Sequence, residues 1–281
     1  MAAGLLAGGV LWADWYRAAP PQALATATYV GRQSCVECHQ QQHDEWVGSH
    51  HDWAMDTATD QTVLADFDNS SFTRNGVTTR FFRDGERFMV NAEGPDGEMT
   101  DFEVKYTFGV EPLQQYMVEF PDGRVQVLRV SWDTVRQEWF EVTPPDVPNE
   151  RILPGDPLHW TGIGQNWNTT CAECHSTNLQ KNYDLESDTY HTTFSEIDVS
   201  CEECHGPASL HVELATAKSF FWDRRHGLGL AKLRSADPTA QLEACAKCHS
   251  RRNAVHADFR PGTPLLDSFN PSLLHAGLYH A

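Results

Sequence analysis

The sequence predicts an α+β protein: short helical and irregular segments interrupted by an inserted antiparallel β-meander. Three observations predict it. One pentapeptide, Cys-x-x-Cys-His, occurs four times, at Cys35–His39, Cys171–His175, Cys201–His205 and Cys245–His249. Residues 63–143 contain neither Cys nor His and alternate apolar and polar residues between Asp-Gly turns. Hydrophobic content is 40% and mean hydropathy is −0.49, slightly low for 281 residues, so part of the core is expected to come from bodies other than side chains.

The pentapeptide is the attachment signature of a c-type haem. Two intervening residues set the thiols about one helical turn apart, where they can bond the porphyrin vinyl groups. The pairs are Cys35 with Cys38, Cys171 with Cys174, Cys201 with Cys204, and Cys245 with Cys248. The next residue, His39, His175, His205 or His249, offers its imidazole to the iron from the same turn. Zinc knuckles would account for the cysteines but not for a histidine fixed after every pair. A disulfide framework would explain neither the spacing nor the histidines. All eight cysteines fall into the four pairs, so four covalent haems c are expected. Each is a flat apolar body on which side chains can pack, with little regular secondary structure around it.

Net charge is −18, from 39 acidic and 21 basic residues, and haem propionates would add to it. That argues against nucleic acid and against an anionic membrane surface as partners. A solvated acidic surface and a surface that meets basic partners account for it equally well.

In chain order, residues 1–28 read as a signal-like or anchor segment. Met1–Ala13 is a small-residue apolar run, too short for a good membrane span, and Ala23-Leu24-Ala25 and Ala25-Thr26-Ala27 fit small-x-small cleavage sites. The first charge is Asp14, so the positive leader region is missing and the start reads as truncated. Haem ligation takes place outside the cytoplasmic membrane, and both lines predict a periplasmic or extracellular protein, touching membrane only through that N-terminal segment. Residues 29–62 form a first haem-binding segment. Its candidates for a second axial ligand are His51, then His50, with His43 behind because it lies one turn from His39 on the same helix face.

Residues 63–143 form the β-rich module, with five to seven strands expected, among them 77–82, 87–90, 102–106, 115–120, 125–130 and 138–140. Asp84-Gly85 and Asp122-Gly123 are hairpin signals. Without a haem ligand, the module reads as structural or docking. Residues 144–281 form a second haem-binding region with three motifs, entered through a Pro- and Asp-rich linker and ending as though interrupted. The short 175–201 connection predicts that motifs two and three are neighbours and that motif one stands apart. Gly206-Pro207 breaks the chain behind His205 and frees it to present His211. His211 and His159 rank above His191 as distal ligands, and His256, His275 and His280 complete the candidates. Arg224-Arg225 and Arg251-Arg252 suit propionates, or are solvated pairs.

The chain resembles multihaem c-type cytochromes related to the nitrifier tetrahaem cytochromes, in the branch often followed by tetratricopeptide repeats. The likeness runs from Tyr29 to Ala281. It rests on Tyr29-Val30-Gly31 through His39 with Trp46, Ser49, His51 and Ala54; on Pro112–Tyr116; on Asn166-Trp167-Asn168 with Cys171–Asn178; on Val199–His211; and on Cys245–Arg252 with Arg260-Pro261-Gly262. Further haem motifs and helical repeats, frequent in such proteins, are not found here. The resemblance implies a multihaem cytochrome c fold, an exported electron carrier, and His51 and His211 as distal ligands. The expected function is single-electron transfer through mostly bis-His haems, with redox proteins, including further multihaem cytochromes, as partners. A multihaem oxidoreductase with one open iron, acting on a small nitrogen or sulfur compound, is the alternative. A scaffold that wires protomers together is a third.

Overall fold

The computed structural model describes residues 2–17, 25–143, 149–216, 228–257 and 259–272. His226, His275, His280, Arg224 and Arg225 lie outside them. Contacts divide the chain into two units, residues 1–44 with 200–279 and residues 45–199.

The first unit contains α1 (Ala2–Arg17) and most of α2 (Gln33–Trp46), which bends at His39 (φ −124°). It also holds α5 (Cys201–His205), α6 (Ser209–Thr216), α7 (Thr239–His249) and a small ladder of β12 (Arg252–Ala254) with β13 (Phe269–Pro271). No helix among the described residues is long and apolar enough to cross a membrane. Three attachment motifs therefore share one unit: the first on α2, the third on α5, the fourth at the end of α7. The first motif, expected to stand apart, is grouped with the third and fourth. Sequence distance measures how short a connection is, not which unit each of its ends joins.

The second unit is built on a nine-stranded antiparallel sheet. Its strands are β1 (Met55–Thr57), β2 (Ser70–Arg74), β3 (Val77–Asp84), β4 (Arg87–Glu93), β5 (Met99–Phe108), β6 (Leu113–Glu119), β7 (Val125–Val127), β8 (Val130–Asp133) and β9 (Glu138–Glu141). The order is β2-β3-β4-β5-β6-β8-β9, with β1 on β5 and β7 on β6. The meander is as the alternation predicts, but eight strands, not five to seven, fall within 63–143. The polar run Ser70–Arg74 pairs with β3 across the Asn75-Gly76 turn, whose two positive φ angles suit a tight hairpin. The run 125–130 divides at Leu128-Arg129 because β7 and β8 both pair with β6.

The sheet curls until its end strands meet through side chains. Trp139 Nε1 donates to Ser70 Oγ at 2.9 Å, and Arg74 pairs with Glu141 at 2.8 Å. Phe81, fully buried, lies parallel to Trp139 with ring centres 3.5 Å apart, and Phe67 meets both edge-on. Replacing Phe81 with Leu keeps the volume roughly constant but removes this stack. It is expected to cost about 2 kcal/mol, read as a lower denaturant midpoint with an unchanged slope.

After the β-strands come α3 (Trp167–Thr170), α4 (Ala172–His175) with the second motif, and a hairpin of β10 (Tyr183–Asp184) and β11 (Thr189–Tyr190). His159 and Trp160 close the apolar core from the side. Trp160 Nε1 donates to the Glu93 carbonyl at 2.6 Å.

Candidate functional site

Each attachment motif ends a helical turn, which holds its two sulfurs and its imidazole together. None of the eight cysteines is in a disulfide. In the first motif Cys35 is half-buried and Cys38 exposed, and in the fourth Cys245 is exposed and Cys248 half-buried. Cys171 and Cys174 of the second motif, and Cys201 and Cys204 of the third, are all half-buried. Each pair therefore sits at a surface of the polypeptide, where a porphyrin can lie against it.

The second motif is the most enclosed. The Asn166 side chain caps α3 by accepting from Thr169 N at 3.2 Å. Asn168, buried, accepts from Val125 N at 2.8 Å and donates to Gly123 O at 3.1 Å and Thr192 Oγ1 at 2.9 Å. These bonds tie the motif's approach to β7. Cys171 packs among Met55, Trp167 and Phe194, and burial pushes its thiol up to about 11. His175 places Nδ1 3.3 Å from the Ala54 carbonyl and its ring 4.3 Å from that of Phe108. A carbonyl at Nδ1 is the usual second support of a histidine that ligates a metal through its other nitrogen.

In the other unit, His39 and His211 come together. Their ring centres are 6.1 Å apart, and His211 Nδ1 lies 3.0 Å from the Leu228 carbonyl, the same kind of support. An ion held between two imidazole nitrogens at about 2 Å, each about 1 Å from its ring centre, separates the rings by about 6 Å. The His39–His211 separation matches that figure, with the ring planes 27° apart. His205 is close to both: burial lowers its basicity, and the neighbouring His39 and His211 lower it further.

Glu202 and Glu203, the two residues between the cysteines of the third motif, are both buried. Glu202 accepts from Val30 N (3.0 Å), Gly31 N (2.8 Å) and Ala208 N (2.8 Å). Glu203 pairs with Lys247, the corresponding residue of the fourth motif. Burial, then the Glu203 charge and the nearby Cys245 thiol, push the Cys204 thiol up to about 11. Sequence reading passed over all three of Glu202, Glu203 and Lys247. Two adjacent acids inside an attachment turn were the available signal.

The other sequence candidates take varied places. His51 is exposed in the second unit, and its carbonyl accepts from Val199 N at 3.2 Å. His50 and His256 are exposed. His43 Nδ1 is 3.6 Å from the Asp44 carboxylate, and exposed His191 Nε2 is 3.2 Å from Thr189 Oγ1. His159 lies in the β-rich core. It is 5% exposed, Nδ1 lies 2.8 Å from Thr161 Oγ1 and accepts from Thr161 N at 3.3 Å, and Nε2 faces Glu93 at 3.7 Å. Protein groups hold its Nδ1, and the Glu93 carboxylate stands beside Nε2. The Arg252 guanidinium lies 3.7 Å over the Phe269 ring, and its Nε donates to the Lys247 carbonyl.

Burial lowers His159 below the ordinary value of 6.5, against the opposing charge of Glu93. A depressed folded value means that the unfolded chain binds the proton first as pH falls. Stability of this unit is therefore expected to be full above about pH 6.5 and to decline below it until the folded group itself protonates. His159→Gln should flatten that limb of a thermal-melting profile.

The family model for cytochrome c554 and c-prime matches residues 34–76 and 160–206, which include the first three motifs, His51 and Trp160. No curated protein matches the chain. Among solved structures, the outer cell wall cytochrome OcwA is similar, with a TM-score of 0.53 at 20% identity over 87% of this chain. The chain spans 45% of that protein's length, and at this identity the likeness speaks to fold. The motifs and the family match support c-type haem attachment, and the fold is shared with a multihaem cytochrome.

Proposed function

We propose that the chain is an exported tetrahaem cytochrome of the branch related to the nitrifier tetrahaem cytochromes, passing single electrons through mostly bis-His haems. The observation that carries this reading is the His39–His211 pair, two imidazoles at the spacing an iron requires, each from a different haem-binding segment. In this reading His39, His175, His205 and His249 are proximal ligands. His211 is distal to the first-motif iron, and His51 is the candidate in the second unit. When bound, the haems supply the one-electron chemistry. The protein anchors them through the cysteines, orients the His175 and His211 imidazoles through Nδ1, and sets potentials by burial and nearby charge.

The grouping of motifs one, three and four in one unit favours a chain of three closely coupled haems there. Export is supported by the N-terminal apolar run and by the similarity in fold to a cytochrome of the outer cell wall. Partners are then redox proteins met outside the cytoplasm. The test is the exported holoprotein: mass and haem content giving four haems per chain, and a reduced-minus-oxidised spectrum with low-spin c-haem bands. Fewer than four haems, or no such bands, would sink the reading.

A second reading, an oxidoreductase with an open iron at the second motif, draws on the engagement of His159 and His191 by protein groups. A high-spin signal that shifts with nitric oxide or cyanide favours it. Four unreactive low-spin irons exclude it.

A further inference from the structure

We infer that the Glu203–Lys247 ion pair sets the order of potentials of the third- and fourth-motif haems, holding the third below the fourth so that an electron runs from third to fourth. This rests on the tetrahaem reading above. Each member of the pair lies between the two cysteines of its own motif, next in sequence to a haem-bearing residue: Glu203 to Cys204 and Lys247 to Cys248. The two turns face each other: Glu203 and Lys247 meet, and Cys204 lies near Cys245. The side chains are 3% and 14% exposed, so solvent screens them little.

Taken together the pair is neutral, and it leaves distant haems alone. At close range the nearer member dominates. The anion belongs to the third turn, where it favours ferric over ferrous iron, and the cation belongs to the fourth, where it does the reverse. Buried Glu202 adds a second carboxylate to the third turn, with its charge spread over three backbone N–H groups. Both acids therefore act in one direction, and the base acts on the other haem. An electron passing from third to fourth oxidises the first iron from Fe(II) to Fe(III) and reduces the second from Fe(III) to Fe(II), with no proton or further reactant needed. A pair that served only to hold the turns together could be reversed without consequence for the potentials.

The experiment is a spectroelectrochemical titration of the full exported holoprotein, wild type against the double variant E203K/K247E, after mass confirms four haems in each. The swap keeps the ion pair but reverses its polarity. The expected result is two potentials moving in opposite directions, the third-motif haem up and the fourth down. Their electron-sharing ratio should change about tenfold, or about 59 mV for a one-electron couple. The other two potentials should stay in place. Glu203→Gln and Lys247→Gln keep the test open if the swap fails to assemble: the first should raise both potentials, the third more, and the second should lower both, the fourth more. Four haems with unmoved potentials, or a swap that moves both the same way, overturns the inference and leaves the tetrahaem reading standing. A wild-type chain with fewer than four haems overturns the reading itself.

Discussion

Replacing Glu202 with alanine is expected to destabilise the first unit by about 3 kcal/mol, since a buried donor left without a partner costs about 1–3 kcal/mol and the Ala208 N–H is buried while those of Val30 and Gly31 are part-buried. The carboxylate is 2% exposed and satisfies three backbone N–H groups, from Val30, Gly31 and Ala208. These lie on both sides of the haem-bearing turn. Val30 and Gly31 precede α2, and Ala208 precedes α6, which carries His211. One side chain thus registers the first motif, the third motif and the His211 helix. Glu202→Gln should cost less, since its single carbonyl oxygen still accepts. Denaturant unfolding of the holoprotein measures both. An alanine variant within about 0.5 kcal/mol of wild type would show that these N–H groups find other partners.

Replacing His211 with methionine is expected to raise the potential of one haem by on the order of 0.1 V, within the roughly 0.8 V that axial ligands command. Thioether ligation favours ferrous iron over the ferric state that a second imidazole stabilises. His211→Ala should instead leave one iron high-spin, with the low-spin signal restored by added imidazole. A role confined to the Leu228 carbonyl would look different. It would cost about 1 kcal/mol for the lost hydrogen bond and leave every potential and spin state as it was. Redox titration with electron paramagnetic resonance separates the two.

What the sequence determines by itself is local. A five-residue attachment motif is one helical turn, so sulfurs and imidazole are tied together by main chain alone, and Cys201 with His205 needs no distant residue to be recognised. The meander is local in the same sense: alternation and Asp-Gly or Asn-Gly turns act over a few residues, and β3 through β6 lie where the pattern puts them. Short polar β2 escaped notice because its residues alternate too weakly to mark a face.

What only the tertiary structure decided is which distant groups meet. His159 and His211 look alike in sequence, each a lone histidine among apolar and polar neighbours. In the fold, Thr161 and Glu93 lie beside the two nitrogens of the first, while the second turns Nδ1 to a carbonyl and lies by His39. The exposure of the sulfurs is decided the same way: Cys38 and Cys174 hold the same place in their motifs, yet one is exposed and the other half-buried. The grouping of motifs one, three and four, and the meeting of Glu203 with Lys247 across more than forty residues, are likewise set by burial. A charge removed from water must find its partner wherever the packed chain brings one within reach, and no local pattern records that distance.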